Sequence, residues 1–498
     1  MFRNQFRRGV RPRLAHAMRL GLMMAVLASS SGCLLTTDIP DPALDVPGAY
    51  KEDHARREDA PPALDWWRAF KSRELNVLME EAQTVNLDIA AATARILQAD
   101  AQARTAGSAL LPLVSGGASA TRSKSASSGG GTVTSGGTTT NASRADHNTF
   151  VASLSASYEI DFWGKNRDAL LAAESTANAN RFDRDTIALT TYASVANAYF
   201  EVLATQDRLA TAARNIAAAQ RIYDAIKARV TAGTSSDLDL SQQETVLANQ
   251  RAAVPPLRQT LAQQQNILAT LVARPPEAVN IAGGTLNSIS APRITPGLPS
   301  ELLTQRPDIR RQEQQLAAAT ANVGSARAQF FPTIQLTGQG GYQSVALAAL
   351  FTPQSMFYNA AVGLTQPIFD GGAIQANFDL TRAQQDELLQ TYRKTVISAF
   401  ADVDNALVSI KQTAEKLRLQ RIVLRSSRRA FDLSERQLTI GTIDIVTLLN
   451  TQLTLFQAED ALSQAQMAWL QSYVSLYQAL GGGWMPKTVN GEGPADAL

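Results

Sequence analysis

The chain has 498 residues, a formal net charge of +2 and 45% hydrophobic content. That is ample for a folded protein, and near-neutrality gives no reason to expect a nucleic-acid partner. Only three histidines (His16, His54, His147) and one cysteine (Cys33) occur, which excludes an intrachain disulfide and leaves a histidine-based metal site or triad almost no material.

Residues 1–32 read as a secretory signal peptide. Arg3, Arg7, Arg8, Arg11, Arg13 and Arg19 flank the short apolar run Leu20–Ala28, and Ser29-Ser30-Ser31-Gly32 lead to Cys33. The apolar run is too short to span a bilayer. Small residues before a cysteine resemble a bacterial lipobox, with Ser30 where an aliphatic residue is usual. Cys33 is therefore the expected lipidation site and mature N-terminus; a plain signal peptide followed by a free cysteine is the alternative. Leu34 after the cysteine favours outer-membrane sorting. One acyl anchor holds only marginally, so a stable membrane protein needs something more than the lipid-anchored segment 33–64. No run of 18 or more apolar residues follows the leader, which excludes membrane-spanning helices.

A first repeat is placed at 65–272. Trp66-Trp67 and Arg73–Glu81 predict a short helix, and Leu87–Leu110 a longer one running into a strand. The β-hairpin lies at about 110–162. Val114, Ala118 and Ala120 alternate with Ser115, Ser119 and Thr121; Phe150, Ala152, Leu154, Ala156, Tyr158, Ile160 and Phe162 alternate with Val151, Ser153, Ser155, Ser157, Glu159 and Asp161. Period-two segments of this length have one oily and one wet face and cross a bilayer when tilted. The Ser/Gly/Thr-rich stretch 122–148 reads as an exposed loop. A long helical hairpin follows at about 165–272, which Pro255-Pro256 must kink or break in its returning arm. Residues 273–299 are the linker. The second repeat, 300–484, begins with a short helix at Pro299, then Pro307–Phe330. Its β-hairpin at about 332–369 sets Ile334, Leu336 and Tyr342, then Tyr358, Ala360, Val362, Leu364 and Ile368, on apolar faces. Its long hairpin is at about 373–480, and 485–498 is a tail.

The two long hairpins share one register. Val195, Val202, Leu209, Ile216, Tyr223 and Val230 each stand 208 residues before Val403, Ile410, Leu417, Leu424, Phe431 and Leu438. Leu240, Leu247, Val254, Leu261 and Leu268 map in the same way onto Leu448, Leu455, Leu462, Trp469 and Leu476. A seven-residue repeat implies coiled-coil packing, and arms of this length reach roughly 100 Å at 1.5 Å per residue. A coiled-coil spacer would satisfy the helices alone. The strands add a demand that a spacer does not make: two hairpins give four strands, which cannot close a barrel that needs about eight or more. The chain must oligomerise to finish it. A soluble β-sandwich would not explain helices starting directly at Gly164 and at Gly371-Gly372. No convergent acid, base and nucleophile set points to an enzyme.

The order strand hairpin, long helical hairpin, repeated, resembles the TolC-like outer membrane factors of Gram-negative bacteria, in their lipoprotein (OprM/NodT-type) branch. The resemblance rests on Trp66-Trp67, on Tyr158-Glu159-Ile160-Asp161-Phe162-Trp163-Gly164-Lys165, and on Leu303-Thr304-Gln305-Arg306-Pro307-Asp308-Ile309-Arg310. It continues through Phe330-Phe331-Pro332, Gln366-Pro367-Ile368-Phe369-Asp370-Gly371-Gly372 and Ala479-Leu480-Gly481-Gly482-Gly483-Trp484. It implies a mainly α fold with a membrane β-barrel portion: a homotrimer closing a 12-stranded barrel in outer-membrane lipid and an α-helical periplasmic tube. The tube meets a periplasmic adaptor (membrane fusion protein) and an inner-membrane pump of the RND type. The implied function is a passive efflux duct for small molecules, of the kind that underlies multidrug resistance, without cofactors beyond the lipid on Cys33. A protein-secretion duct of the same fold, or a lipid-anchored scaffold without a pore, are the alternatives.

The resemblance also implies a periplasmic gate at the hairpin turns. The family's leucine and aspartate rings match Val446 and Asn450, so the apolar ring is smaller and the charge ring is missing; Asp444 is a candidate substitute. Asp237 and Asp239 sit at the matching turn, either as a lumen-facing acidic ring or as helix-capping residues. Gly233, Thr234, Gly441 and Thr442 are assigned to adaptor contact, the alternative being turn geometry alone. Glu159 and Asp161, near Lys165 and Arg167, are expected to form a structural ion-paired cluster.

Overall fold

The computed structural model describes residues 38–51, 63–124, 147–292, 294, 297, 299–482 and 484. Two units emerge. One is built around Ala99–Ala177 and Gln315–Leu388; the other holds the described residues of Asp41–Gln98, Asn178–Gln314 and Leu389–Leu498.

The described helices are α1 (Arg73–Val85), α2 (Leu87–Ser108), α3 (Lys165–Thr231), α4 (Asp237–Ala252), α5 (Val254–Leu271), α6 (Pro299–Gln305), α7 (Pro307–Ala328), α8 (Ala373–Thr439) and α9 (Ile445–Ala479). The strands are β1 (Leu113–Ser123), β2 (His147–Ile160), β3 (Thr333–Ser344) and β4 (Met356–Thr365). Trp66–Phe70 forms a 3-10 turn before α1. Among the described residues no helix is long and apolar enough to cross a membrane.

The long arms α3 and α8 have 67 residues each. None of the heptad positions named above is exposed: Val195, Val202 and Val403 are fully buried, and the others are buried or half-buried. Alanines complete the seam, with Ala198, Ala212 and Ala219 all buried. The returning arms differ as Pro255-Pro256 require. The first is interrupted at Ala253, where α5 takes the prolines into its first turn, whose N–H groups lack intrahelical partners in any case. The second, α9, runs unbroken for 35 residues.

The helical unit has a large aromatic core. Trp66, Trp67, Phe70, Phe200 and Leu203 are almost fully buried with Leu268, Leu286 and Leu470. Trp66 stacks on Tyr477 at 4.7 Å. Tyr199 shares a hydrogen bond of 3.0 Å with Ser72, the residue whose hydroxyl caps α1. Burial pushes the Tyr199 phenol up to about 12.

Two sequence motifs fix where the second copy starts and ends. Arg306, only 12% exposed, holds Asp308 through two bonds of 2.6 and 3.0 Å, Asp402 at 3.1 Å, and the carbonyl of Ala479 in the last turn of α9. Burial opposes its charge, but the hydrogen bonds to Asp308 and the two acids' charges outweigh that and raise its pKa. Gly481, at φ +82°, lets the chain pass so closely that an added Cβ would lie 2.2 Å from the carbonyl oxygen of Gln305.

Two strand ends differ from the sequence expectation. β2 stops at Ile160 rather than Phe162, and β4 at Thr365, which leaves Ile368 outside the sheet. The causes are local. The amide of Phe162 turns back to the Ile160 carbonyl, and Pro367 has no N–H to offer a ladder.

Candidate channel wall and tip

The four strands form one antiparallel sheet in the order β1-β2-β3-β4. Its register fixes which side chains share a face. One face carries the rows Val114-Ala156-Gly338-Ala360, Gly116-Leu154-Gly340-Tyr358 and Ala118-Ala152-Tyr342-Met356, followed by Tyr158-Leu336-Val362 and Ile160-Ile334-Leu364. The opposite face is mostly polar, carrying Ser115-Ser155-Gln339-Asn359, Leu113-Ser157-Thr337-Ala361, Ser119-Val151-Gln343 and Glu159-Gln335-Gly363. Hydrogen bonds run across this polar face between Ser115 and Ser155 and from Gln339 to Ser153.

The apolar face is uncovered. Tyr358 is 83% exposed, Val362 74% and Leu364 69%, far beyond what a water-facing surface of a monomer tolerates in one patch. β1 pairs only with β2 and β4 only with β3, so both edges of the sheet are open. An oily face and two free edges of similar length are the properties of a barrel segment.

Where strands give way to helices, acids cap the long arms. The Asp161 carboxylate accepts from the amides of Asn166 and Arg167 and pairs with the Arg167 guanidinium; Lys165 pairs with Glu159 at 3.0 Å. Asp370 does the same for α8, accepting from the amides of Gly372 and Ile374, which holds its carboxyl below the usual range. Thus Asp161, read from sequence as a strand residue, is a helix cap beyond the strand. Trp163 stacks on Phe331 at 4.6 Å and donates to the Pro332 carbonyl, and Phe162 packs against it. Such aromatic girdles flank the apolar band of membrane barrels.

At the far end of the long hairpins the two copies use matching turns. Gly233 (φ +75°) and Gly441 (φ +77°) each follow a helix end, with the next threonine amide donating five residues back, to Arg229 and Gln437. The hydroxyls of Thr234 and Thr442 donate to those same carbonyls. This is the Schellman closure, in which a positive φ satisfies carbonyls that the helix end leaves unpaired. All four residues are also exposed.

The following caps differ in chemistry. In the first copy Ser236 caps α4, and Asp239 returns a bond to the Ser236 amide; Asp237 is exposed in the first turn. In the second copy Asp444 is the cap, accepting from both the amide and the hydroxyl of Thr447. Val446 is 44% exposed and Asn450 is exposed one turn further on. Asp239 and Asp444 are therefore structurally engaged, while Asp237, Val446 and Asn450 present free surface in the single chain. Cys33 lies outside the described residues.

The Thr447 bonds hold the Asp444 carboxyl below its ordinary value of 3.8. Because the folded pKa is depressed, the cap's stabilisation is complete above 3.8 and is lost only as pH falls through the lower folded value. Hydrogen exchange at the Thr447 amide, corrected for intrinsic rate, should not change between about pH 7 and pH 5. Loss of protection in that window would mean that the cap is not the carboxylate.

The helices behind the tip are tied by charges the sequence reading missed. Arg208 on α3 reaches Asp460 on α9 at 2.6 Å, and Arg428 on α8 reaches Glu459 at 3.1 Å. A signal for some of them was present: Gln452, Glu459 and Gln466 recur every seven residues, and all three are polar yet buried or half-buried. Among the described residues no cluster of metal-binding side chains occurs.

The family model for outer membrane efflux proteins matches residues 78–274 and 298–482, taking in both copies. The chain belongs to the outer membrane efflux protein family. The pyoverdine export outer membrane protein OpmQ of Pseudomonas aeruginosa is 39% identical over 469 residues, covering 93% of this chain and 98% of its own. The toluene efflux pump outer membrane protein TtgC of Pseudomonas putida is 30% identical over 467 residues, covering 92% and 94%. Among solved structures, the outer-membrane channel OprN superposes with a TM-score of 0.81 at 26% identity, covering 91% of this chain and 99% of that one. This efflux channel protein is therefore an outer-membrane component whose sheet is its membrane part.

Proposed function

We propose that three copies of the chain assemble into a passive exit duct that an inner-membrane pump of the RND type drives through a periplasmic adaptor. The observation that carries this reading is the four-stranded sheet with an oily outer face and both edges unpaired. Three such sheets joined edge to edge give twelve strands and leave none open, and the same operation places six long helical hairpins side by side as a tube. A lipid on Cys33 adds a second hold on the membrane. Relatives named for pyoverdine export and for toluene efflux share the family, which supports a duct whose cargo is chosen by the pump and not by its own wall.

In this reading the adaptor grips the exposed turns at Gly233-Thr234 and Gly441-Thr442, and the narrowest ring lies at Val446 and Asn450, with Asp237 and Asp444 nearby. Outer-membrane fractions should contain a heat-resistant trimer that gives single-channel conductance in planar bilayers; monomers without conductance would sink the duct. Constriction rings select by charge. Asn450→Asp channels should therefore favour cations several-fold more than the parent in reversal-potential measurements, whereas an unchanged preference removes Asn450 from the gate.

A further inference from the structure

Two glutamines on the tip helices are buried between two apolar clusters of the seam. On the tip side, Ile222, Ile226 and Leu448 form a buried cluster, with Leu240 and Ile445 packed on it. On the other side, Ala219, Leu247, Leu455 and Phe456 form another. Gln243 falls between Leu240 and Leu247, and Gln452 between Leu448 and Leu455; both are 0% exposed. The Gln243 amide group donates to the Ala219 carbonyl at 2.8 Å, but its oxygen Oε1 has no partner. Gln452 has no partner at either Nε2 or Oε1. The layer belongs to one pairing only, because the residue that matches Gln452 in the first copy, Glu244, is exposed.

A buried amide left unpaired is destabilising, and a buried polar residue in a coiled-coil seam is tolerated chiefly where it selects a register. The unmet atoms are complementary: Gln452 offers a free N–H and Gln243 a free carbonyl oxygen. We propose that Gln243 and Gln452 form a register switch between the two hairpins of one chain, unpaired in the arrangement described here and hydrogen-bonded to each other in a second, in which the α8–α9 hairpin has shifted along α3–α4. The second arrangement is the open tip. This deepens the duct reading above and rests on it.

The test is a double-mutant cycle on purified full-length channels in planar bilayers, with open probability as readout. Gln243→Leu and Gln452→Leu should each lower the open fraction about tenfold, and the double variant should fall no further than either single change. Gln452→Met, which keeps length and removes the donor, should match Gln452→Leu and serves if the leucine variant does not assemble. Hydrogen exchange of the amides around Ile222 and Leu448 should slow in the same variants, because the present arrangement gains apolar packing. Additive losses, an unchanged open fraction, or faster exchange at the tip would each overturn the switch. Absence of conductance in the unmodified protein would instead defeat the duct, which separates the two failures.

Discussion

Gly341→Ala should remove the protein from the outer membrane, while Gly338→Ala on the same strand leaves it there. A Cβ added at Gly341 would lie 2.2 Å from the carbonyl oxygen of Ala152 and 2.6 Å from the Cα of Ser153. Both obstacles are backbone atoms of β2, so no rotamer change relieves them. Either β3 moves away from β2 or the ladder breaks, and this ladder is what joins the two β-hairpins. In hydrocarbon each backbone group set free costs several kcal/mol, so the penalty is roughly 3 kcal/mol or more. At Gly338 nothing stands within 4 Å of an added Cβ. Immunoblots of outer-membrane fractions, with semi-native gels to display assembled and single chains, compare the two variants directly. Equal amounts of assembled protein in both would show that the close approach is not what holds β2 to β3.

Arg306→Ala is expected to be the most damaging change in the helical unit. The guanidinium joins Asp308, Asp402 and the end of α9, so its loss leaves the Asp308 carboxylate and the Ala479 carbonyl facing a cavity. Removing one partner of a mostly buried ion pair costs roughly 2–4 kcal/mol once the half-exposed Asp402 is discounted for screening. Arg310→Ala is the matched control. Its pair with Glu313 is a more exposed contact within one helix, worth about 0.3–0.5 kcal/mol. Urea titration followed by tryptophan fluorescence suits the measurement, because Trp66 and Trp67 lie in the aromatic core of the same unit. A midpoint for Arg306→Ala no lower than that for Arg310→Ala would reduce the Arg306 cluster to a surface feature.

Much of this fold could be read from the chain because its signals were long. A repeat sustained over 67-residue arms leaves few alternatives, and the ends of α3 and α8 fall where Gly164, Gly233, Gly372 and Gly441 punctuate the pattern. Strand faces were equally legible, since alternation fixes which side chains share a surface. Strand ends were not: an apolar residue such as Phe162 or Ile368 continues the alternation whether or not its amide joins a ladder. At the tip, the Gly-Thr turns were visible but not the way the two caps exchange roles, Ser236 with Asp239 against Asp444 with Thr447. The Arg306 motif was recognisable as a pattern, yet its purpose needs α7, α8 and the end of α9 brought together across the chain. Gln243 and Gln452 escaped because polar residues inside a seam look, in one dimension, like its wet side.

The two open edges of the sheet make quality control a matter of numbers. β1 has 11 residues and β4 has 10, so one can complete the ladder of the other in a neighbouring chain. Such head-to-tail joining closes only when every place in the ring is filled. If three chains close the ring, as proposed above, and a fraction f of chains in a cell carries a defective edge, intact rings fall as the cube of the remainder. A strain expressing both forms equally would then keep about one-eighth of its channels, all else being statistical. A damaged second gene copy would thus act as a poison for the sound one, and dosage as much as sequence would set how much a cell can export.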